Sequence, residues 1–206
     1  MKKRLFYFNA LLIWLFFISV WAFAAIAWRI TPDLEKEIAV KTATLKANPQ
    51  DANAHFDLAI TYAYTNHIED GWSELRKTVD LDPSFKQKGL LLYIRKVTES
   101  PQDWRLRFRL AFAYYFNDKK KDAVRELKNV LIIYPSNVWA YGYLGLIYGE
   151  MGEVDAAMDA TKRGLQLDSN VAALHLLLSE GYYKKGDAWN GWFERLEALR
   201  LKALGY

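Results

Sequence analysis

The side chains that most often carry chemistry are few and scattered in this 206-residue sequence. None of the three histidines, His55, His67 and His175, is followed by a second histidine or a cysteine three or four residues later, and a metal site needs several converging donors. The sequence also lacks a G-x-S-x-G nucleophile motif and a phosphate-binding loop of the G-x-x-x-x-G-K-[ST] type. We therefore expect a protein that is not an enzyme and that uses no metal ion and no cofactor.

Charge and cysteine content exclude further classes of function. The net charge is +4, but Lys2, Lys3 and Arg4 supply three of these charges, and residues 5–206 hold 25 basic and 24 acidic side chains. A nearly neutral body argues against nucleic acid as a partner. The absence of cysteine excludes disulfides, zinc–thiolate sites and covalent haem attachment.

The N-terminal segment reads as a membrane anchor. Residues 5–28 contain no charged side chain, and as a helix they would be about 36 Å long, enough to cross a hydrocarbon core of about 30 Å. The preceding basic cluster predicts a cytoplasmic N-terminus, so that the remaining chain lies on the periplasmic side of a bacterial-type inner membrane. The alternative is a cleaved secretory signal, because residues 22–24 and 25–27 resemble cleavage sites, and the protein would then be secreted.

A short pattern recurs four times after residue 50. It consists of leucine, a small residue, tyrosine three positions later and a small residue nine positions further on. The last three copies are spaced by 34 residues, which is a period typical of repeat proteins. The four copies are Leu58, Ala59, Tyr62 and Gly71; Leu110, Ala111, Tyr114 and Ala123; Leu144, Gly145, Tyr148 and Ala157; and Leu178, Ser179, Tyr182 and Gly191.

This pattern resembles the tetratricopeptide repeat (TPR), a helix–turn–helix unit of 34 residues with W-x₂-L-G-x₂-Y in its first helix. The slot of the tryptophan holds His55, Arg107, Tyr141 and His175 here, which gives the two histidines a packing role. The resemblance implies an all-α fold, in which the transmembrane helix is followed by a right-handed superhelix of helix-turn-helix repeats. The expected segments are a half-repeat capping helix at 32–48, four units at about 52–85, 104–137, 138–171 and 172–205, and an insertion at 86–103 with a short helix near 89–97.

Small residues are expected where two helices of a unit pack closely. We expect Gly145 and Ala157 to be such contact points, and Gly152 and Gly186 to end the first helices of their units. In the last helix, an apolar face lies opposite a polar one, which predicts a polar cap on the array. The apolar residues are Trp189, Trp192, Phe193, Leu196 and Leu199.

The resemblance also implies a binding surface, because in TPR proteins the first helices line a concave groove that holds a peptide or a helix of a partner. The arginines near its start are expected to clamp a carboxylate or polar main chain. The alternative is that these residues pack against neighbouring helices or that the insertion folds across them. The expected groove residues are Phe56, Ile60, Tyr64, Arg105, Phe108, Arg109, Phe112, Tyr115, Phe116, Trp139, Leu146, Leu176 and Tyr183.

These expectations combine into a membrane-anchored adaptor. Only about four residues, roughly 13 Å, connect the anchor to the first helix, so partners should be membrane-embedded or membrane-proximal proteins. The architecture is similar to that of accessory subunits of bacterial haem-lyase systems, and we expect an assembly factor or scaffold of a membrane complex. If the anchor is retained, the alternative function is that of a permanent accessory subunit of a respiratory or photosynthetic complex.

Overall fold

The computed structural model describes residues 30–205, which form ten α-helices joined by short turns. None of these helices combines the length and the hydrophobicity needed to cross a bilayer, and the expected anchor at 5–28 lies outside the described residues. The helices are α1 Pro32–Ala47, α2 Ala52–Ala63, α3 Ile68–Leu81, α4 Phe85–Glu99, α5 Trp104–Phe116, α6 Lys120–Ile133, α7 Val138–Glu150, α8 Val154–Leu167, α9 Ala172–Lys184 and α10 Ala188–Ala203.

Local sequence signals explain where the helix pairs begin and turn. Asp51 and Asp103 accept hydrogen bonds from backbone N–H groups in the first turns of α2 and α5, and Asn137 does so at α7. These contacts satisfy donors that a helix start leaves unpaired. The turn inside each pair contains one residue with positive φ, at the same position each time: Asn66, Asp118, Gly152 and Gly186.

Small side chains let the two helices of a pair approach closely. A Cβ atom added at Gly145 in α7 would lie 2.3 Å from Thr161 Oγ1 and 3.2 Å from the Ala157 carbonyl oxygen in α8. A Cβ atom at Gly71 in α3 would lie 3.0 Å from the Ala59 carbonyl oxygen in α2. The repeated small residues therefore lie at helix contacts, where a larger side chain would push the pair apart.

The last three pairs stack in register, and we call α5 to α10 the C-terminal stack. The Tyr115 hydroxyl at the end of α5 donates to Glu150 at the end of α7 over 2.7 Å. Lys184 Nζ at the end of α9 donates to the Gly149 carbonyl of α7 over 3.0 Å. Because their C-terminal ends meet, α5, α7 and α9 run in the same direction.

The first pair docks in the opposite direction. We call α1 to α3 the N-terminal unit. Phe56, early in α2, contacts Phe116 at the end of α5, with ring centroids 6.3 Å apart. Tyr64, just after α2, contacts Trp104 and Phe108 early in α5, at 5.2 and 5.3 Å. The helix α2 is therefore antiparallel to α5, which differs from the parallel first helices of the stack.

Helix α3 lies across the face of the stack that a groove would occupy. Trp72 lines a small apolar pocket together with Phe112 of α5 and Leu146 of α7. Near the two ends of α3, Val79 contributes to a small pocket with Phe116, and Glu69 lies 3.6 Å from Lys202 at the end of α10. The N-terminal unit thus folds over the stack instead of extending it.

The insertion forms the helix α4, which is longer than the 89–97 segment expected from the sequence. It packs on α5 and reaches over α2, where Phe56 lies 5.2 Å from Phe85 and 5.3 Å from Tyr93 between ring centroids. The amide of Asn117 donates to the Lys86 carbonyl over 2.8 Å and joins the start of α4 to the end of α5. The insertion therefore covers part of the expected groove, as the alternative interpretation of the sequence allowed.

Candidate partner-binding surface

The structure separates the expected groove residues by exposure. Seven are buried, because the N-terminal unit and α4 pack over them: Phe56, Ile60, Tyr64, Phe108, Arg109, Phe112 and Trp139. Five are half-buried: Arg105, Tyr115, Phe116, Leu146 and Tyr183. Leu176 is exposed. The expectation of one continuous open groove therefore differs from the structure, in which about half of that surface is interior.

Aromatic rings fill the covered part. Phe108 stacks on Phe112 at 5.6 Å, and Tyr143 of α7 meets Phe112 edge-on at 4.7 Å. The Tyr143 hydroxyl donates to the Ala63 carbonyl of α2 over 3.1 Å, which ties the N-terminal unit to the stack. Such aromatic pairs contribute about 0.5–1.5 kcal/mol each beyond their buried area, so this contact is a stable part of the fold.

A buried arginine holds the N-terminal unit in place. Arg109 of α5 is 4% exposed, and its Nε lies 3.0 Å from Asp57 Oδ1 of α2. Its Nη2 lies 3.0 Å from both Glu37 Oε1 of α1 and Thr61 Oγ1 of α2. The Tyr64 hydroxyl donates to the same Glu37 oxygen over 2.5 Å. Arg109 was expected to clamp a carboxylate or main chain of a partner, whereas in the structure it binds two carboxylates of its own chain.

The charges in this cluster shift the pKa of the acids. Burial raises the pKa of Glu37, but hydrogen bonds from Tyr64 and Arg105 and the charge of Arg109 outweigh burial and lower it to about 2. Burial also raises the pKa of Asp57, but the charges of Arg109 and Lys41 and a hydrogen bond from Tyr93 together outweigh burial and lower it. Burial raises the pKa of Tyr64 to about 12. Both acids are therefore ionised at neutral pH, and their charges stabilise the docked arrangement.

Part of this cluster can be recognised in the sequence when the repeat units are aligned. Asp57 and Arg109 occupy the same slot in units one and two, and Tyr143 and Leu177 occupy it in the other units. Opposite charges in equivalent slots of two neighbouring repeats predict an ion pair between them. The partner Glu37 in α1 lies 72 residues from Arg109 and has no repeat register that would reveal it.

The open part of the surface is a cleft of about 350 Å³ between the N-terminal unit and the end of the stack. Ile68 and Trp72 of α3 form one wall, and apolar residues of α7 and α9 form the other. Its charged lining residue is Glu180. We call this the open cleft; it contains three residues expected in the groove, Trp139, Leu146 and Leu176. Its lining fits an apolar side chain or one turn of an amphipathic helix.

The histidines form contacts within the chain. His55 Nδ1 lies 2.5 Å from Glu74 Oε2, and its Nε2 lies 3.0 Å from the Pro49 carbonyl oxygen. His175 repeats the arrangement, with Glu194 at 2.6 Å and the Ser169 carbonyl oxygen at 2.9 Å. In both units the imidazole joins the first helix to the second and to the turn before the unit.

The apolar face of α10 is the surface that the sequence reasoning interpreted incorrectly. Trp189, Trp192, Phe193, Leu196 and Leu199 are all exposed, whereas Gly191, Ala198 and Leu201 make the buried side. The helix therefore presents an apolar outer face where a polar cap was expected.

Comparison with known proteins gives one sequence relative and several structural ones. No model of a known protein family matches the sequence. Anaphase-promoting complex subunit 3 of Dictyostelium discoideum is 29% identical over 94 residues. That match covers 46% of this chain and 10% of the relative, so the chain spans about a tenth of that protein's length.

Solved structures of low sequence identity share the arrangement of helices. An ArsTM double mutant of MamA RS-1 aligns with a TM-score of 0.56 and 15% identity, over 84% of this chain and 86% of that one. MamA MSR-1 aligns with a TM-score of 0.54 and 19% identity, over 84% of this chain and 90% of that one. TTC0263, a TPR protein of Thermus thermophilus, aligns with a TM-score of 0.55 and 21% identity, over 82% of both chains. The chain has a TPR-like, all-helical repeat fold.

Proposed function

We propose that this chain is a non-enzymatic adaptor that binds a protein partner through the open cleft and helps to assemble or hold together a membrane complex. The TPR-like fold supports a role in protein interaction, since stacked helix pairs form extended surfaces suited to it. The partner supplies an apolar segment, because the open cleft is lined almost entirely by apolar side chains.

The observation that carries this proposal is the position of α3. This amphipathic helix lies beside α5 and α7, and its Trp72 lines a small apolar pocket together with Phe112 and Leu146, so the surface accepts a helix in the manner of a helix-in-groove complex. The same surface continues past α3 toward α9, where Leu176 remains 43% exposed. A partner helix or extended segment would continue the packing that α3 begins.

The membrane part of the proposal depends on the sequence of residues 5–28. A retained anchor would hold the helical domain within about 13 Å of the bilayer and on its periplasmic side. Partners that expose an apolar segment near the membrane would then meet the open cleft at high effective concentration. N-terminal sequencing of the mature chain tests this part, because a chain that begins after residue 24 or 27 has lost the anchor.

The binding role is tested by changing the cleft and comparing what co-purifies. Leu176→Asp places a charge in the open cleft, and Leu91→Asp is the matched control, because Leu91 is 69% exposed on α4. Full-length chains are purified from membranes of the native organism, and their partners are quantified by mass spectrometry. We expect at least one partner to be retained by the wild type and the control, and reduced about tenfold or more by Leu176→Asp.

The proposal fails if the wild type, the control and Leu176→Asp retain the same partners in the same amounts while all three show the same helical circular dichroism. It also fails if the change at Leu91 removes the partner as effectively, because the binding surface would then lie elsewhere.

A further inference from the structure

The exposed apolar face of α10 has the composition of an interface. Its five side chains, Trp189, Trp192, Phe193, Leu196 and Leu199, are between 42% and 67% exposed. Trp189 stacks on Trp192 with ring centroids 5.8 Å apart and meets Phe193 edge-on at 4.9 Å. A contiguous exposed aromatic cluster of this kind marks an interaction site.

This face points away from the rest of the repeat array. Residues two positions further along the helix, Gly191, Ala198 and Leu201, make the buried side of α10. Two residues correspond to about 200° around a helix, so the apolar face lies almost opposite the contact with α9.

A further repeat would also leave most of this face in solvent. In α8, which is followed by α9, the residues 34 positions before Trp189, Phe193 and Leu196 are Asp155, Asp159 and Lys162, and all three are exposed. The counterpart of Trp192, which is Met158, packs against the next helix at Gly181, and the counterpart of Leu199, which is Leu165, is half-buried. Lys162 also lies over the Tyr182 ring of α9, but its side chain stays exposed. Trp189, Phe193 and Leu196 therefore replace charged residues at positions that stay exposed when a further repeat packs on the helix.

The spacing of the face is symmetric. Trp189, Trp192, Leu196 and Leu199 are separated by three, four and three residues, which is the seam spacing of two helices that pack along their length. Read in the reverse direction, the spacing is the same. In an antiparallel pair, Trp189 would face Leu199 and Trp192 would face Leu196 of the other helix, so that each large side chain meets a smaller one.

The area is sufficient for a specific contact. Five half-exposed side chains of this size present roughly 500 Å² per copy, and a symmetric pair would bury about 1,000 Å², the lower end for specific interfaces. We propose that this face binds the same face of a second copy, with the two α10 helices antiparallel across a twofold axis.

The charges of α10 favour a second copy over a lipid surface. The helix carries Glu194, Arg195, Glu197, Arg200 and Lys202, a mixture of both signs in which Arg200 pairs with Glu197 at 2.5 Å. Helices that lie on anionic membranes have polar faces rich in lysine and arginine alone. A bilayer also imposes no symmetric spacing on the side chains that enter it.

Sedimentation equilibrium of the full chain tests this proposal, in a density-matched nonionic detergent so that bound detergent adds no buoyant mass. The wild type should form a dimer, and the variant with both Trp192→Asp and Leu196→Asp should weaken dimerisation at least about 30-fold. The control, Leu91→Asp with Ile132→Asp, changes two other exposed apolar residues and should leave the dimer intact. Circular dichroism checks that all three chains are folded.

Cysteine cross-linking tests the direction of the helices, because the natural sequence contains no cysteine. Chains with Trp189→Cys and chains with Leu199→Cys should form disulfide dimers when mixed and oxidised, whereas each variant alone should form few. Cross-linking of each variant with itself would contradict the antiparallel arrangement.

Three outcomes overturn the proposal. One is a wild type that stays monomeric at about 100 µM. The face of α10 would then bind another occupant, such as lipid or residues 1–29 of the same chain. Another is a dimer that the Trp192 and Leu196 changes do not weaken. A third is a dimer in which positions 189 and 199 never link. Partner binding at the open cleft is measured separately with Leu176→Asp, so failure here leaves the proposed function standing.

Discussion

The N-terminal unit and the C-terminal stack carry the same repeat pattern but are held in different ways. Inside each helix pair, a small residue of one helix contacts the other, as Gly71 does in the first pair and Gly145 in the third. Between pairs, the stack uses small residues again, and a Cβ atom at Gly181 would lie 2.5 Å from Met158. The N-terminal unit instead uses a buried ionic cluster around Arg109.

The repeat pattern therefore encodes only part of the fold. The pattern specifies how two helices form a hairpin, and it does so in all four pairs. It does not specify how one hairpin docks on the next, because that depends on residues outside the pattern. In the first pair those residues are polar, and they place α2 antiparallel to α5. The result is a repeat unit that covers the groove instead of extending it.

The largest expected effect is the removal of Arg109. The change Arg109→Ala leaves the carboxylates of Glu37 and Asp57 with no buried cation, and breaking a buried ion pair in this way costs about 3–5 kcal/mol. Urea unfolding of the full chain, followed by circular dichroism, measures the loss. The matched control is Arg105→Ala, whose partly exposed guanidinium also binds Glu37 and should cost about 1 kcal/mol or less. Equal costs for the two arginines would contradict the account.

Acid should weaken the N-terminal unit through Glu37. Its pKa is lowered from 4.5 to about 2 in the folded chain, so its contribution is complete above about pH 4.5 and is lost as the pH falls toward 2. The shift corresponds to about 3 kcal/mol of unfolding free energy. The free energy of unfolding should fall less steeply between pH 6 and pH 2 for Glu37→Gln than for the wild type. The same slope in both chains would show that Glu37 is not the group responsible.

Gly145 and Gly149 of α7 should respond in opposite ways to substitution by alanine. Gly145→Ala should cost about 1–3 kcal/mol, because the new Cβ would lie 2.3 Å from Thr161 Oγ1 and force the helices apart. Gly149→Ala should stabilise by about 0.5–1 kcal/mol, because the nearest atom is Ala157 Cβ at an ordinary 3.9 Å and alanine favours helix. Thermal or urea unfolding of both variants measures the difference. Effects of the same sign would mean that close approach at Gly145 does not matter.

The smallest effect is expected at the turns inside the pairs. Asp118 adopts a φ of 58° at the position that Gly152 and Gly186 hold in the following units. Asp118→Gly should therefore stabilise by up to about 1 kcal/mol, and Gly186→Ala should destabilise by about 1 kcal/mol. Neither change should alter the docking of the N-terminal unit, which hydrogen exchange of α2 would report. A loss of protection in α2 would link the turns to docking, against this account.

Much of the fold is predictable from the sequence, because local signals act within short distances. The helix pairs begin at Ala52, Trp104, Val138 and Ala172, where the repeat pattern and the capping residues together indicate starts. The insertion is helical, as the sequence predicted near residues 89–97, but the helix extends over Phe85–Glu99, where Phe85 packs on Phe56. Local propensity and hairpin packing are sufficient for this level of structure.

The docking of the N-terminal unit was not predictable in the same way. It depends on contacts between Glu37, Asp57 and Arg109, which come from three different helices. Asp57 and Arg109 share a repeat slot, but Glu37 has no repeat register, and no sequence signal indicates the antiparallel direction of α2. The groove residues inherited from the resemblance were chosen by slot alone, so the residues of the first two units were expected to be open. The exposed face of α10 was missed for a related reason, because helical spacing identifies an apolar face but not the side on which the array lies.

The most direct test of the central claim is the distance between the start of α3 and the end of α10. Glu69 and Lys202 lie 3.6 Å apart at their charged ends, because the N-terminal unit folds across the stack. Spin labels at Glu69→Cys and Lys202→Cys can be placed uniquely, since the chain has no cysteine, and magnetically diluted chains report only the distance within one molecule. We predict a separation well below 20 Å. A regular stack would place three repeat steps of about 10 Å between them, and a distance of about 30 Å or more would contradict the account.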